Sequence, residues 1–277
     1  MDMEAEFAAV RKDIAEGRLS EVPAKIKAIA ENGSDPFTAV KCISLMSAVG
    51  DRSIMPDLIA IAEKTASDDE TKLQIALALR SLGFPSNAYG MLKGIPKTDE
   101  TLRASAECLS DMEEYESALA CLQSISSPSL SDRCLLAGTY SSLGEHSDAI
   151  SVSSELIAEN PANYEAGVAY VSSLISAGKQ KEAVKYVRAN LKEKTADSYA
   201  LAAYAMWIVG NAKSAGAYAS RAVQIDHAHV GAMEILGLSL AEKGEIDKAR
   251  IVAGAINEVR PGDKAALNII SYCDLRS

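Results

Sequence analysis

Three histidines, five cysteines and a few crowded charges are the residues of this chain that could do chemistry. Their spacing decides against most of it. His227 and His229 form an isolated His-x-His between two helix-like segments, and His146 lies far off in sequence. A metal centre needs several ligands in a defined geometry, so no metal site is expected. Cys42, Cys108, Cys121, Cys134 and Cys273 show no paired spacing. Each falls inside a helical pattern, where a reduced thiol behaves as a small hydrophobe. Glu113, Glu114 and Glu116 are close in sequence but read as an exposed turn. No Gly-rich phosphate loop, nucleophile elbow or His-Glu-x-x-His string is present. The chain reads as a non-enzyme with no cofactor.

Two groupings point to binding instead. Tyr204 and Trp207 are three residues apart and therefore share one face of a helix; both residue types are favoured anchors in binding surfaces. Lys179, Lys181, Lys185, Arg188, Lys192 and Lys194 make a local basic patch, read as a solvated outer face on which long cationic stems snorkel. The net charge of −10 is carried mostly by residues 1–130, with 13 basic against 21 acidic side chains. Nucleic acid requires a basic surface, so it is not an expected partner. An acidic half would favour basic or neutral partners through long-range steering. The first six residues are acidic and lack a signal-peptide core, and no stretch approaches the roughly 18 apolar residues of a membrane span. The expected compartment is the cytoplasm.

The elements that carry these residues are marked by glycines. Gly17, Gly50, Gly83, Gly144, Gly178, Gly210 and Gly244 are separated by 33, 33, 61, 34, 32 and 34 residues. The long gap holds two periods, with Glu113 standing where a glycine is missing. Each mark lies between two helix-like segments. In residues 230–263 the first segment carries Met233, Leu236, Gly237 and Leu240 at spacings of three and four, which line up one helix face. Gly244 ends it, as glycine readily adopts the left-handed conformation. Ile246, Ala249, Ala253, Ile256 and Val259 form the second, and Pro261 closes the unit.

The layout recurs in residues 3–35, 36–68, 69–98, 99–129, 130–163, 164–195 and 196–229. The first unit is the least regular, as expected where a unit has one neighbour. Residues 264–277 are a half-unit whose Leu267, Ile270, Tyr272 and Cys273 are expected to cover the last hairpin. Ala118, Ala149, Ala183, Ala215 and Ala249 recur where the two helices of a hairpin would cross. Only 5% of residues are aromatic, and the abundance of small side chains suits closely approaching helices.

This pattern resembles the tetratricopeptide repeat (TPR) family, whose unit is about 34 residues with small residues at helix crossings and a terminal proline. The likeness spans nearly the whole chain, read as one solenoid over 1–277 with divergent repeats in 1–129, the best-matching repeats in 130–263 and a capping helix in 264–277. No first helix carries the family's tryptophan, and Thr195 and His227 replace the final proline. The resemblance implies an all-α, right-handed superhelix of about eight hairpins whose first helices line a concave groove. Carried over position by position, the C-terminal half of that groove holds Cys134, Gly138, Val168, Ser172, Ile175, Tyr204, Trp207, Glu234, Leu238 and Ala241. The N-terminal half holds Leu73, Leu77, Arg80, Arg103, Glu107, Ser110 and Asp111.

TPR domains that grip acidic chaperone tails use a basic clamp. The matching places here are Cys134, Gly138, Ala169, Asp197 and Leu201, with no basic residue among them. The resulting expectation is an interaction scaffold or adaptor that takes a peptide or protein surface through Val168, Ser172, Ile175, Tyr204, Trp207, Glu234 and Leu238. Two alternatives stand beside it: a ligand-sensing regulatory solenoid, and an accessory subunit or assembly factor of a larger complex.

Overall fold

The structure is a computed structural model and describes residues 3–260 and 262–276; Met1, Asp2 and Pro261, used in the sequence reading, lie outside them. Among the described residues all regular structure is helical. The chain divides into two compact units, Met1–Ile125 and Ser126–Ser277. The first unit holds four hairpins: α1 (Met3–Ala15) with α2 (Val22–Asn32), α3 (Thr38–Val49) with α4 (Met55–Thr65), α5 (Asp69–Ser81) with α6 (Pro85–Leu92), and α7 (Asp99–Asp111) with α8 (Tyr115–Gln123). The second holds four more: α9 (Leu130–Ser142) with α10 (His146–Glu159), α11 (Tyr164–Ser176) with α12 (Gln180–Asn190), α13 (Ala196–Ile208) with α14 (Ala212–Ile225), and α15 (Val230–Glu242) with α16 (Ile246–Val259). A single helix, α17 (Lys264–Arg276), follows.

The turns inside the hairpins explain the period. Gly144 adopts a φ of +79°, and Glu113 takes the same left-handed region at φ 62°. The residue after each mark then donates its N–H back across the turn: Glu145 to the Tyr140 carbonyl and Glu114 to the Leu109 carbonyl, both at 2.9 Å. This six-residue closure satisfies carbonyls that a helix end leaves open. Glu113 makes the turn that glycine makes elsewhere, which is why the period survives the substitution.

From α5 onward, the starts of the first helices of the hairpins are fixed by side chains. Thr98, Ser129 and Thr195 each accept from the N–H three residues on, and Thr101, Asp132 and Ser198 return the bond to the cap's own N–H. Asp68, Asn163 and His229 cap α5, α11 and α15 from one side only. These polar caps sit just ahead of each apolar stripe, so the break between units is encoded locally.

Packing follows from the hairpins. In the second unit each first helix contacts the next first helix, and each second helix contacts the first helix of the hairpin that follows. The recurrent alanines lie inside these crossings: Ala118, Ala149, Ala183, Ala215 and Ala249 are all buried. The first unit buries larger side chains, including Ile26, Ile43, Met46, Leu58, Ile75 and Leu79. No described helix is long and apolar enough to cross a membrane.

The C-terminal cap matches expectation at Cys273 and at half-buried Tyr272, and departs from it at Leu267 and Ile270. Ala266, Ile269 and Cys273 are buried, whereas Leu267 and Ile270 are exposed. Positions 266, 269 and 273 follow a spacing of three and four, and this stripe turns inward. Gly237 of α15 leaves room for the Ile269 side chain, which an added Cβ would approach to 2.5 Å.

Candidate functional site

In the second unit, α9, α11, α13, α15 and α17 form one layer, and the residues named from the sequence lie along α11, α13 and α15. Ser172 on α11 and Tyr204 on α13 share a hydrogen bond of 2.5 Å between their hydroxyl groups. Val168 and Ile175 pack half-buried against the cluster of Val171, Leu174 and Leu201. Glu234 accepts a hydrogen bond of 2.7 Å from the Nδ2 amide of Asn268 on α17. Burial pushes the Glu234 carboxyl above the usual carboxylate range, and the Asn268 amide draws it part of the way back. Burial likewise raises the Tyr204 phenol, against a lowering by Ser172.

Trp207 is half-buried and meets Tyr272 of α17 edge-on, with ring centroids 5.8 Å apart. The two rings come from helices on either side of α15. Leu238 and Ala241 of α15 are buried within the same cluster. Leu238 and Ala241 are thus named groove residues that the chain itself covers. Tyr272 also donates from its hydroxyl to Glu242, which pairs with Arg276.

A second span escaped the sequence reading. Tyr164, the first residue of α11, packs edge-on against His229 at 4.8 Å, although His229 opens α15. His229 Nδ1 accepts from the Ala232 N–H at 3.1 Å, so Nε2 carries the proton and donates to Asp197 at 3.1 Å. The position beneath Tyr164 is Gly231, where an added Cβ would lie 2.6 Å from the ring. The glycine was visible in sequence, but nothing local linked it to a tyrosine 67 positions earlier.

The corresponding stretch of the first unit is occupied by charge. Arg80 on α5 donates to Asp111 at 2.8 Å and to Glu107 at 2.5 Å, both on α7. Leu73 is buried and Leu77 half-buried. These side chains tie two hairpins together.

Chemistry of other kinds finds little footing. Cys42, Cys108, Cys121 and Cys134 are free thiols. Burial pushes the thiols of Cys42 and Cys108 up to about 12 and that of Cys134 up to about 11, which keeps them protonated and poorly nucleophilic. Among the described residues no group of three or more His, Cys, Asp or Glu is placed to hold a metal ion. Lys179, Lys181, Lys185, Arg188, Lys192 and Lys194 are all exposed on and after α12.

No protein-family model matches the chain, and no curated protein matches it. Solved structures do share its fold. A tetratricopeptide repeat protein from Parabacteroides merdae superposes with a TM-score of 0.51 at 15% identity, over 86% of this chain and 98% of that one. Yeast Tom70 gives a TM-score of 0.51 at 12% identity, over 99% of this chain and 59% of its own. The chain has a TPR-like helical-repeat fold.

Proposed function

We propose that this chain is a non-enzymatic interaction module that takes a peptide or protein surface against the first-helix layer of its second unit. That layer is the concave face in the TPR-like reading. The contact residues are Val168, Ser172, Ile175, Tyr204, Trp207, Glu234 and Leu238, with Leu238 acting from beneath as support for the aromatic residues. The observation that carries the reading is the half-buried Trp207–Tyr204 face, which combines apolar area with the Glu234 carboxylate and paired hydroxyl groups. Aromatic anchors beside polar groups of this kind are typical of binding hot spots. The site is proposed to work on a soluble partner in the cytoplasm, and nucleic acid is not among the partners.

Affinity capture on the full chain tests the proposal, with Trp207→Ala and Tyr204→Ala combined as the control. Loss of captured proteins by the double variant, at a temperature where its circular dichroism shows it still fully folded, is the expected result. Retention of every captured protein removes this face from the function.

An accessory-subunit reading has one observation in its favour. Leu267 and Ile270 of α17 are exposed, and Leu275 is 84% exposed. Size fractionation of the source lysate distinguishes it: migration of the native protein as a monomer counts against a resident subunit.

A further inference from the structure

Helix α12 is the irregular member of the second unit. It has 11 residues, whereas α10, α14 and α16 have 14 each. A short 3-10 turn, Leu191–Glu193, stands in for the lost helical turn. Lys194 then adopts a left-handed φ of 53° and leads into Thr195, the cap of α13. A cleft of about 470 Å³ opens at this shortened end, between the loop at 161–163, the last turn of α12 and the start of α13. Its size is that of a small-ligand pocket, and such pockets combine apolar walls with a few placed polar groups.

The lining has a definite chemistry. Leu201, Ala189 and the rings of Tyr164 and Tyr186 supply apolar surface, while Glu193 and Asp197 supply carboxylates. No lysine or arginine is in the lining; Lys192 and Lys194 flank Glu193 in sequence and are exposed. Asp197 accepts from His229 in the tautomer whose Nδ1 is already used as an acceptor, a bond that supplies no formal positive charge. Glu193 pairs with no cation among the described residues. An anionic guest would meet two carboxylates, and a neutral apolar guest would desolvate them without return.

We infer that this cleft is a receptor for a primary alkylammonium group, with its stem on Leu201 and Ala189 and its charged head between Glu193 and Asp197. Tyrosine rings favour a cation close by, and ammonium–carboxylate hydrogen bonds are the strong, charge-assisted kind. The same chemistry occurs on free polyamines and on a lysine side chain of a polypeptide. The cleft is lined by none of the residues proposed as contacts on the Trp207 face.

Amide NMR titration of the full chain tests the inference, using cadaverine, spermidine and the peptide acetyl-Gly-Lys-Gly-amide, with 1-pentanol and pentanoate as neutral and anionic controls. The ammonium probes are expected to shift resonances of Tyr186, Glu193, Thr195 and Leu201, and to bind at least about tenfold more tightly than pentanol. Glu193→Gln, an exposed change that leaves no partner stranded, should weaken binding by about tenfold, and Ala189→Phe, which fills the cleft, should abolish it. Preference for cadaverine and spermidine assigns a free amine, and preference for the peptide assigns a protein lysine. Absence of binding by every ammonium probe at millimolar concentration overturns the inference. So does equal binding of pentanol, or affinity unchanged in Glu193→Gln and in Asp197→Asn.

Discussion

Trp207 and Tyr272 meet edge-on with their ring planes at 71°, one on α13 and the other on α17, with α15 between them. Rings from next-but-one helices of the layer can touch only if the intervening helix offers little bulk at that level. Ala241 of α15, buried to 1% exposure, belongs to the same packed cluster as both rings.

The first prediction concerns this pair. Trp207 is the single tryptophan of the chain, so its emission reports this spot alone. Tyr272→Ala should shift that emission to the red and cost about 0.5–1.5 kcal/mol for the lost aromatic pair. Fluorescence spectra and urea melts of the variant measure both. An unshifted spectrum would show that Tyr272 does not shelter the indole.

Glu113 offers a gain instead of a loss. A non-glycine residue in the left-handed region carries about 1–2 kcal/mol of steric cost, partly offset by the greater freedom of glycine in the unfolded chain. Glu113→Gly should therefore stabilise the protein by about 0.5–1 kcal/mol. A chemical-denaturation midpoint at or below that of the parent contradicts it.

Glu234 predicts a pH dependence. Its folded carboxyl holds a proton more tightly than the ordinary 4.5, mainly because of burial. The folded chain therefore binds more protons than the unfolded one between pH 4.5 and the raised native value, and stability falls as pH rises through that window. Glu234→Gln keeps an acceptor for Asn268 but cannot ionise. Its stability relative to the parent should rise from pH 4.5 upward and then level off. Denaturation midpoints taken across that range check the trend, and a difference independent of pH refutes it.

The crossing alanines give a test of packing. Ala249 is fully buried between α15 and α16, and Ala249→Leu should cost about 1–3 kcal/mol through overpacking. The exposed Ile251, 70% accessible on the same helix, is the control: Ile251→Ala should change stability by less than about 0.5 kcal/mol. Equal thermal shifts for the two variants would contradict the crossing assignment.

What could be read in the sequence was what neighbouring residues decide. Glu113 was recognisable as a substitute turn because left-handed backbone at the end of a stripe is a local event, fixed by spacing. The buried crossing alanines are local in the same sense. The Tyr164–His229 contact was not legible, because it depends on how far α15 is displaced from α11, a sum of small packing offsets. On α17 the expectation held for Cys273 but not for Leu267 and Ile270, because Gly237 of α15 leaves room for the Ile269 side chain and so turns the stripe of Ala266, Ile269 and Cys273 inward. The shortening of α12 and the cleft at its end were not read from the sequence, where residues 164–195 looked like an ordinary unit.

The reach of the packing has a further consequence. In the second unit the principal partners of each helix are the next two or three along the chain, so native contacts close over short stretches of sequence. Short closures are entropically cheap and quick to form. A growing polypeptide leaving the ribosome could therefore settle α9 and α10 as soon as α11 had emerged, so that assembly keeps pace with translation from the N-terminal side.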